Sequence, residues 1–207
     1  MTAPTTMNKP LHVIYITGLG DRHPNGQRRA VSTWHWYGVE AELFQMKWAD
    51  REPWESKFER LLARIDALAA QGKTVGLVAA SAGATAAINA YAARKDVISG
   101  VVCIAGKVNR PQAIGRHFRQ QNPAFVTAAE ECRKALAGLS AADRRHIQSR
   151  YALADEMVTK QDSRIPGANN RLTPSIGHFI TIATQITLGA PGLIRFLKRQ
   201  AKTVSLP

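Results

Sequence analysis

Val78-Ala79-Ala80-Ser81-Ala82-Gly83-Ala84 is the stretch that decides how this chain is read. The residues leading into it, Thr74 to Ala80, are a short apolar run that follows Gly72, the pattern of a buried strand. The residues after it, Ala82 to Ala93, are rich in alanine and predict a helix. Ser81 stands at the junction, with Ala79 two positions before it and Gly83 two after. A serine presented on a sharp strand-to-helix turn needs small residues at those two places, because larger side chains would collide. The bare pattern of Gly or Ala, any residue, Ser, any residue, Gly arises by chance in about one chain of this length in seven. The strand before it and the helix after it supply the specificity. The same stretch also reads as a serine capping a helix of small residues.

Outward from Ser81, apolar runs alternate with helical patterns. Leu11 to Thr17 is rich in β-branched residues, stops at Gly18 and predicts a buried strand. A helix is predicted near Arg28 to Tyr37, and a strand over Val39 to Lys47 with Val39, Ala41 and Leu43 on one face. In Trp54 to Ala70, Phe58, Leu61, Leu62, Ile65 and Leu68 recur at helical spacing. Ile98 to Ala105 is apolar on both faces, as a strand in a covered parallel sheet must be. Farther on come a helix over Pro123 to Ala137, a strand over Ile147 to Leu153 and a short strand at Arg171-Leu172-Thr173. Helices over His178 to Thr187 and Leu193 to Lys202 follow, with a break at Gly189-Ala190-Pro191-Gly192. This order predicts a three-layer α/β/α sandwich with a mostly parallel sheet and right-handed crossovers.

Length and composition agree with that. A chain of 207 residues, 45% hydrophobic and 21% charged, suits one globular domain. There are two cysteines, and Cys103 lies in the apolar run Val101 to Ile104, where a reduced core thiol is expected. Two distant cysteines make neither a zinc signature nor a disulfide framework. Residues 1–10 read as a disordered tail without the apolar segment of a signal peptide, and Leu11 to Thr17 is too short to span a membrane. A cytoplasmic location is expected. Trp34, Trp36, Trp48 and Trp54 cluster around the second strand and are read as packing. The formal net charge is +13, which favours anionic substrates or polyanions but equally describes a solvated basic surface. Residues 107–142, with Lys107, Arg110, Arg116, Arg119, Arg133 and Lys134, read as a small basic insertion. It is either a cap-like cover over the site or a helix covering the sheet.

Taken together, these residues resemble the α/β-hydrolase superfamily, in a minimal single-domain form of the esterase, lipase and thioesterase type, from Leu11 to about Lys202. The resemblance implies the chain order nucleophile, acid, histidine, each on a loop after a strand. Ser81 is then the nucleophile. Tyr151-Ala152-Leu153-Ala154-Asp155-Glu156-Met157-Val158 resembles the stretch that carries the acid, which makes Asp155 the acid, with Glu156 and Asp162 as rivals. Ser175-Ile176-Gly177-His178-Phe179 resembles the terminal Gly-His motif and makes His178 the general base. Thr17-Gly18-Leu19-Gly20-Asp21 resembles the His-Gly-Leu-Gly-Asp loop of carboxylesterases and acyl-protein thioesterases, with Thr17 where histidine is usual. It implies an oxyanion hole made by the backbone N–H groups of Leu19 and Ala82. Between Asp155 and His178 the interval is short and crowded with Pro166, Gly167, Asn169, Asn170 and Pro174, so the helix usual there is expected to shrink to a loop.

The implied activity is that of a serine hydrolase cleaving a carboxylic ester or thioester through an acyl-serine intermediate, with no cofactor and no metal. The partner is then a small-molecule substrate. Arg110, Arg116 and Arg119, early in the basic insertion, suggest that it is anionic. The alternative is a non-catalytic α/β-hydrolase-like domain that binds nucleic acid or another polyanion through its basic surface. The intact Ser–Asp–His order speaks against it, so no nucleic-acid partner is expected. The sequence assigns no oligomeric state.

Overall fold

A computed structural model describes residues 10–204; apart from Pro10, the expected tail lies outside the described residues. Six strands and nine α-helices alternate along them. The order is β1 (Leu11–Ile16), α1 (Asn25–Ser32), β2 (Glu40–Phe44), α2 (Trp54–Ala70), β3 (Thr74–Ala80), α3 (Gly83–Ala93), β4 (Ile98–Ile104), α4 (Arg116–Gln121), α5 (Pro123–Gly138), α6 (Ala141–Arg145), β5 (Ile147–Ala154), α7 (Lys160–Ser163), β6 (Asn169–Ile176), α8 (His178–Ile186) and α9 (Ala190–Val204). The strands form one sheet in the order β2-β1-β3-β4-β5-β6, and every neighbouring pair is parallel.

Successive side chains on a strand point to opposite faces, and each face here has its own core. On one face Ile14, Ile16, Leu77, Ala79, Val101 and Cys103 pack under α2, α3 and α5. On the other, Val13, Tyr15, Val78, Ala80, Val102 and Ile104 pack under α8, α9 and Val31 of α1. That is why β1, β3 and β4 are apolar on both faces. All six strands run the same way, so their following loops gather at one edge of the sheet, where sites in such folds lie.

Several elements differ from expectation: α4 and α6 flank the one helix predicted over Pro123 to Ala137, and the strand predicted over Val39 to Lys47 covers only Glu40–Phe44. The helix predicted near Arg28 to Tyr37 is α1 followed by a 3-10 turn over Thr33–Tyr37, which ends at Gly38. The strand predicted at Arg171-Leu172-Thr173 runs over all of Asn169–Ile176. β6 is an edge strand, where Pro174 is tolerated, and five of its eight residues are exposed, so no buried run announces it. The break between the last two helices falls at Thr187–Gly189, with Pro191 inside the first turn of α9, where its missing N–H costs nothing. Between Asp155 and His178 the helix expected to shrink to a loop is the four-residue α7, and β6 takes up much of the remaining interval.

Within residues 107–142, α5 buries Phe125, Ala128, Ala129, Cys132 and Leu136 against the α2–α3 side of the core. The shorter α4 instead brings Phe118 and Gln121 to the edge of the sheet where the strand-following loops gather. Cys103 and Cys132 are free and buried; burial pushes the Cys103 thiol up to about 12, so it is inert at neutral pH. No single helix among the described residues is long and apolar enough to cross a membrane.

Candidate active site

Ser81 follows the last residue of β3 and has φ of 51°. A non-glycine residue in the left-handed region costs about 1–3 kcal/mol and persists only where its surroundings over-determine it. They do so here. Ser81 N–H donates to Ile104 O at 2.9 Å, which extends the β3–β4 ladder by one residue. Ser81 O accepts from Ala84 N–H at 3.1 Å and Lys107 N–H at 3.2 Å, which starts α3 immediately. Ala82, not Ser81, is the N-cap of α3, and among the described residues no side chain caps that helix, so the simpler reading of a serine cap fails.

Two glycines let the neighbouring chain close on this turn. A Cβ at Gly83 would lie 2.6 Å from both Ile16 O and Thr17 O, so only glycine allows α3 to start against the end of β1. A Cβ at Gly18 would lie 3.0 Å from Ser81 Cβ and 3.2 Å from Ala80 O, so a larger residue would crowd the loop after β1 against the serine. Among the described residues, neither the Leu19 nor the Ala82 N–H is taken by another acceptor. These are the two donors the resemblance assigns to an oxyanion hole.

The loop after β1 is held by hydrogen bonds that sequence reasoning did not anticipate. Thr17, standing where histidine is usual, donates its hydroxyl to Asp21 Oδ2 at 3.1 Å, and its carbonyl accepts from Trp48 Nε1 at 3.1 Å. Asp21 Oδ2 also accepts from Lys47 N–H at 2.6 Å, and Asp21 O from Gln45 Nε2 at 2.7 Å. Buried Asp21 therefore ties the loop after β1 to the loop after β2. Burial outweighs these hydrogen bonds and raises its pKa.

Asp155 and His178 meet. His178 Nδ1 and Asp155 Oδ2 are 2.8 Å apart, and both side chains are buried. Asp155 Oδ1 accepts from the N–H groups of Met157 at 2.8 Å and Val158 at 2.7 Å. Burial works against the charged carboxylate. The hydrogen bonds from His178, Val158 and Met157 prevail and hold its pKa below the ordinary value.

The rival acids lie elsewhere. Glu156 accepts from the backbone N–H of His178 at 3.0 and 3.2 Å, so it anchors the start of α8, where negative charge is favoured. Asp162 is buried between Lys107 Nζ, Arg110 Nε and Thr159 Oγ1. Burial opposes its charge, but those partners bring its pKa down to about 2. Asp162 supports the turn from behind, because Lys107 is the residue whose N–H holds Ser81 O.

Ser81 and His178 line one cleft of about 1420 Å³ at the loop edge of the sheet. No Ser81–His178 hydrogen bond is formed among the described residues; such bonds are often long in ligand-free sites and tighten when substrate binds. Phe118, Met157, Phe179, Ile182 and Ile186 give the cleft an apolar wall. Arg110, Arg116 and Arg119 do not line it, contrary to the expectation that they would meet the substrate. Arg110 is tied to Asp162, Gln161 and Thr159, and Arg119 to the carbonyls of Ile114 and Pro111. Among the described residues no group of three or more His, Cys, Asp or Glu side chains is placed to hold a metal ion.

The sheet order, the strand-to-helix serine turn and the paired Asp155 and His178 that follow β5 and β6 fit one class: the chain has the α/β-hydrolase fold. Solved structures of that fold superpose on nearly all of it. Est1E from Butyrivibrio proteoclasticus matches with a TM-score of 0.68 at 14% identity, over 96% of this chain and 91% of its own. A structure from a study of carboxylesterases of the thaumarchaeon Nitrososphaera gargenis matches with a TM-score of 0.68 at 12% identity, over 98% and 99%. The esterase domain of a Rhodothermus marinus protein matches at 0.65 and 15% identity, over 92% and 88%. No family model and no curated protein matches the sequence.

Proposed function

We propose that this protein is a serine hydrolase that cleaves a carboxylic ester or thioester through an acyl-serine intermediate, with Ser81, His178 and Asp155 as its triad. One observation carries the proposal: Ser81 is held in a left-handed turn in the same cleft as a buried His178–Asp155 hydrogen-bonded pair. The naming of similarly folded structures as an esterase domain and as carboxylesterases is consistent with it.

In this reading His178 Nε2 takes the proton of Ser81 Oγ as the oxygen attacks the acyl carbonyl. Asp155, fixed by two backbone N–H groups, accepts from Nδ1 and stabilises the imidazolium that forms. The unclaimed N–H groups of Leu19 and Ala82 receive the tetrahedral oxyanion, and the start of α3 adds its positive end. His178 then protonates the departing alcohol or thiol. Water, deprotonated by the same imidazole, releases the acid and restores Ser81.

A fluorophosphonate probe should label the wild-type protein at one site and leave Ser81→Ala unlabelled, with p-nitrophenyl acetate hydrolysis lost in parallel. An unlabelled wild type, or a labelled and active Ser81→Ala, overturns the reading.

A further inference from the structure

The cleft has charged lining on one flank only. Its lining includes Arg22 and Arg51 and no aspartate or glutamate. Neither guanidinium is engaged: among the described residues neither has a hydrogen-bond or ion-pair partner, whereas Arg28, Arg60, Arg64, Arg94, Arg110 and Arg144 all do. The acids on either side of Arg51 are already spoken for. Asp50 is paired with Lys57, and Glu52 with Lys57 and Arg60. Arg51 is thus flanked by carboxylates in sequence and left unpaired in space.

Both arginines sit on a fixed frame. Arg22 follows Asp21, whose carboxylate is bonded to Thr17 and Lys47, so the loops that carry Arg22 and Arg51 are joined to each other. Lys57, wholly buried, binds Lys47 O at 2.6 Å and Asp50. Trp48 is buried and stacked on Trp54, with ring centroids 6.1 Å apart. Lys47 and Arg51 both have positive φ, 53° and 64°. Strain of that kind in side chains with a Cβ is retained where the surroundings impose it, characteristically at ligand clamps.

Topology separates the two walls. Ser81 follows β3; Arg22 and Arg51 follow β1 and β2 on one side of it, and Phe118, Met157 and Phe179 follow β4, β5 and β6 on the other. We propose that Arg22 and Arg51 form an anion-recognising wall and that the preferred substrates are esters carrying a carboxylate or phosphate a few atoms from the scissile carbonyl, with the apolar remainder against the Phe118–Phe179 side. The proposal rests on the hydrolase reading and names the substrate class of that site. Guanidinium groups are suited to it, since they present planar, paired donors to either anion.

Four esters test it: 4-nitrophenyl butyrate, 4-nitrophenyl hydrogen glutarate, 4-nitrophenyl 4-(phosphonooxy)butyrate and 3-carboxyphenyl butyrate. Each is assayed with wild type, Arg22→Gln, Arg51→Gln, the double variant and Arg133→Gln, a loss of equal charge outside the cleft. The readout is the kcat/KM ratio of charged to neutral ester, which cancels general damage to the catalytic groups. Each cleft variant should lower that ratio about threefold and the double variant about tenfold, the scale of exposed charge pairs. Arg133→Gln should leave the ratio in place. Raising salt from about 20 mM to about 500 mM should bring the wild type towards the double variant. The charged ester whose ratio falls most identifies the anion and the side of the scissile bond that bears it. Wild-type turnover of the neutral ester with unchanged ratios across the cleft variants overturns this proposal and leaves the hydrolase reading intact. A fall of equal size in Arg133→Gln also overturns it, because overall charge would then be responsible. A wild type inert to all four esters and to fluorophosphonate removes the hydrolase reading instead. In that event calorimetric titration of Ser81→Ala with monobenzyl glutarate and benzyl butyrate, with and without the two arginine changes, still decides whether the wall binds anions.

Discussion

Asp155→Asn separates a catalytic pair from a structural one. The Asp155 carboxylate accepts three hydrogen bonds, from His178 Nδ1 at 2.8 Å and from the Met157 and Val158 N–H groups at 2.8 and 2.7 Å. Oδ1 serves both backbone donors, so in the variant the amide oxygen must take that place and the NH2 group must face Nδ1. An NH2 donor there forces Nδ1 to be the acceptor, which puts the imidazole proton on Nε2, the nitrogen required to take a proton from Ser81. The fold keeps its two backbone hydrogen bonds while the base is held in the wrong tautomer. The corresponding change in the trypsin-type triad lowers kcat about 10⁴-fold, or about 5.5 kcal/mol of transition-state stabilisation. We expect a loss of that order for p-nitrophenyl acetate hydrolysis, measured at steady state near pH 7.5. The thermal midpoint should stay within a few degrees of wild type. A kcat within tenfold of wild type in a folded Asp155→Asn protein would falsify the assignment of Asp155 as the acid.

Asp162→Asn should do the reverse: it breaks a buried pair with Lys107, costs about 3 kcal/mol of stability measured by urea unfolding, and leaves kcat within about tenfold. Because the folded pKa of Asp162 is depressed to about 2, its contribution is complete above about pH 4 and is lost as pH falls towards 2. The wild-type urea midpoint should therefore fall more steeply than that of Asp162→Asn between pH 5 and pH 2.5, and equal slopes would contradict the ion pair. Ser81→Gly should be more stable than Ser81→Ala by about 1 kcal/mol, since glycine takes a φ of 51° without penalty; an order reversed in thermal unfolding would mean that the turn is relaxed. Gly83→Ala places a methyl 2.6 Å from two carbonyl oxygens and should cost about 1–3 kcal/mol with a drop in activity, seen by unfolding and by p-nitrophenyl acetate turnover.

What the sequence discloses depends on how local the signal is. β3, β4 and the serine turn are legible because burial on both faces and the need for small flanking residues are written in adjacent positions. Asp155 and His178 are legible only through the resemblance of their stretches to the superfamily's motifs, and the structure adds that they meet at 2.8 Å. β6 is half hidden because an edge strand has one unpaired side and an outward face, so its residues resemble a loop. The frame of the site is not legible at all. Asp21 reaches Lys47 across 26 positions, and Lys57, which looks like a solvated lysine on an amphipathic helix, is wholly buried beneath the strained loop.

Charge is where local reading misleads most. Arg110 and Arg119 look free in a basic segment, yet both are bound to groups of the protein itself and are absent from the cleft. Arg51 looks neutralised between Asp50 and Glu52, yet both acids face Lys57 or Arg60 and the guanidinium is left to the cleft. A net charge of +13 therefore has little bearing on specificity until the pairs are taken out. Exposed charges far from the reacting carbonyl are screened within about 10 Å at ordinary salt. Those that select a substrate must be unpaired and close to the bond that reacts; Arg22 and Arg51 are without a partner among the described residues and line the cleft that holds Ser81, which is why the anion-recognising wall is proposed there.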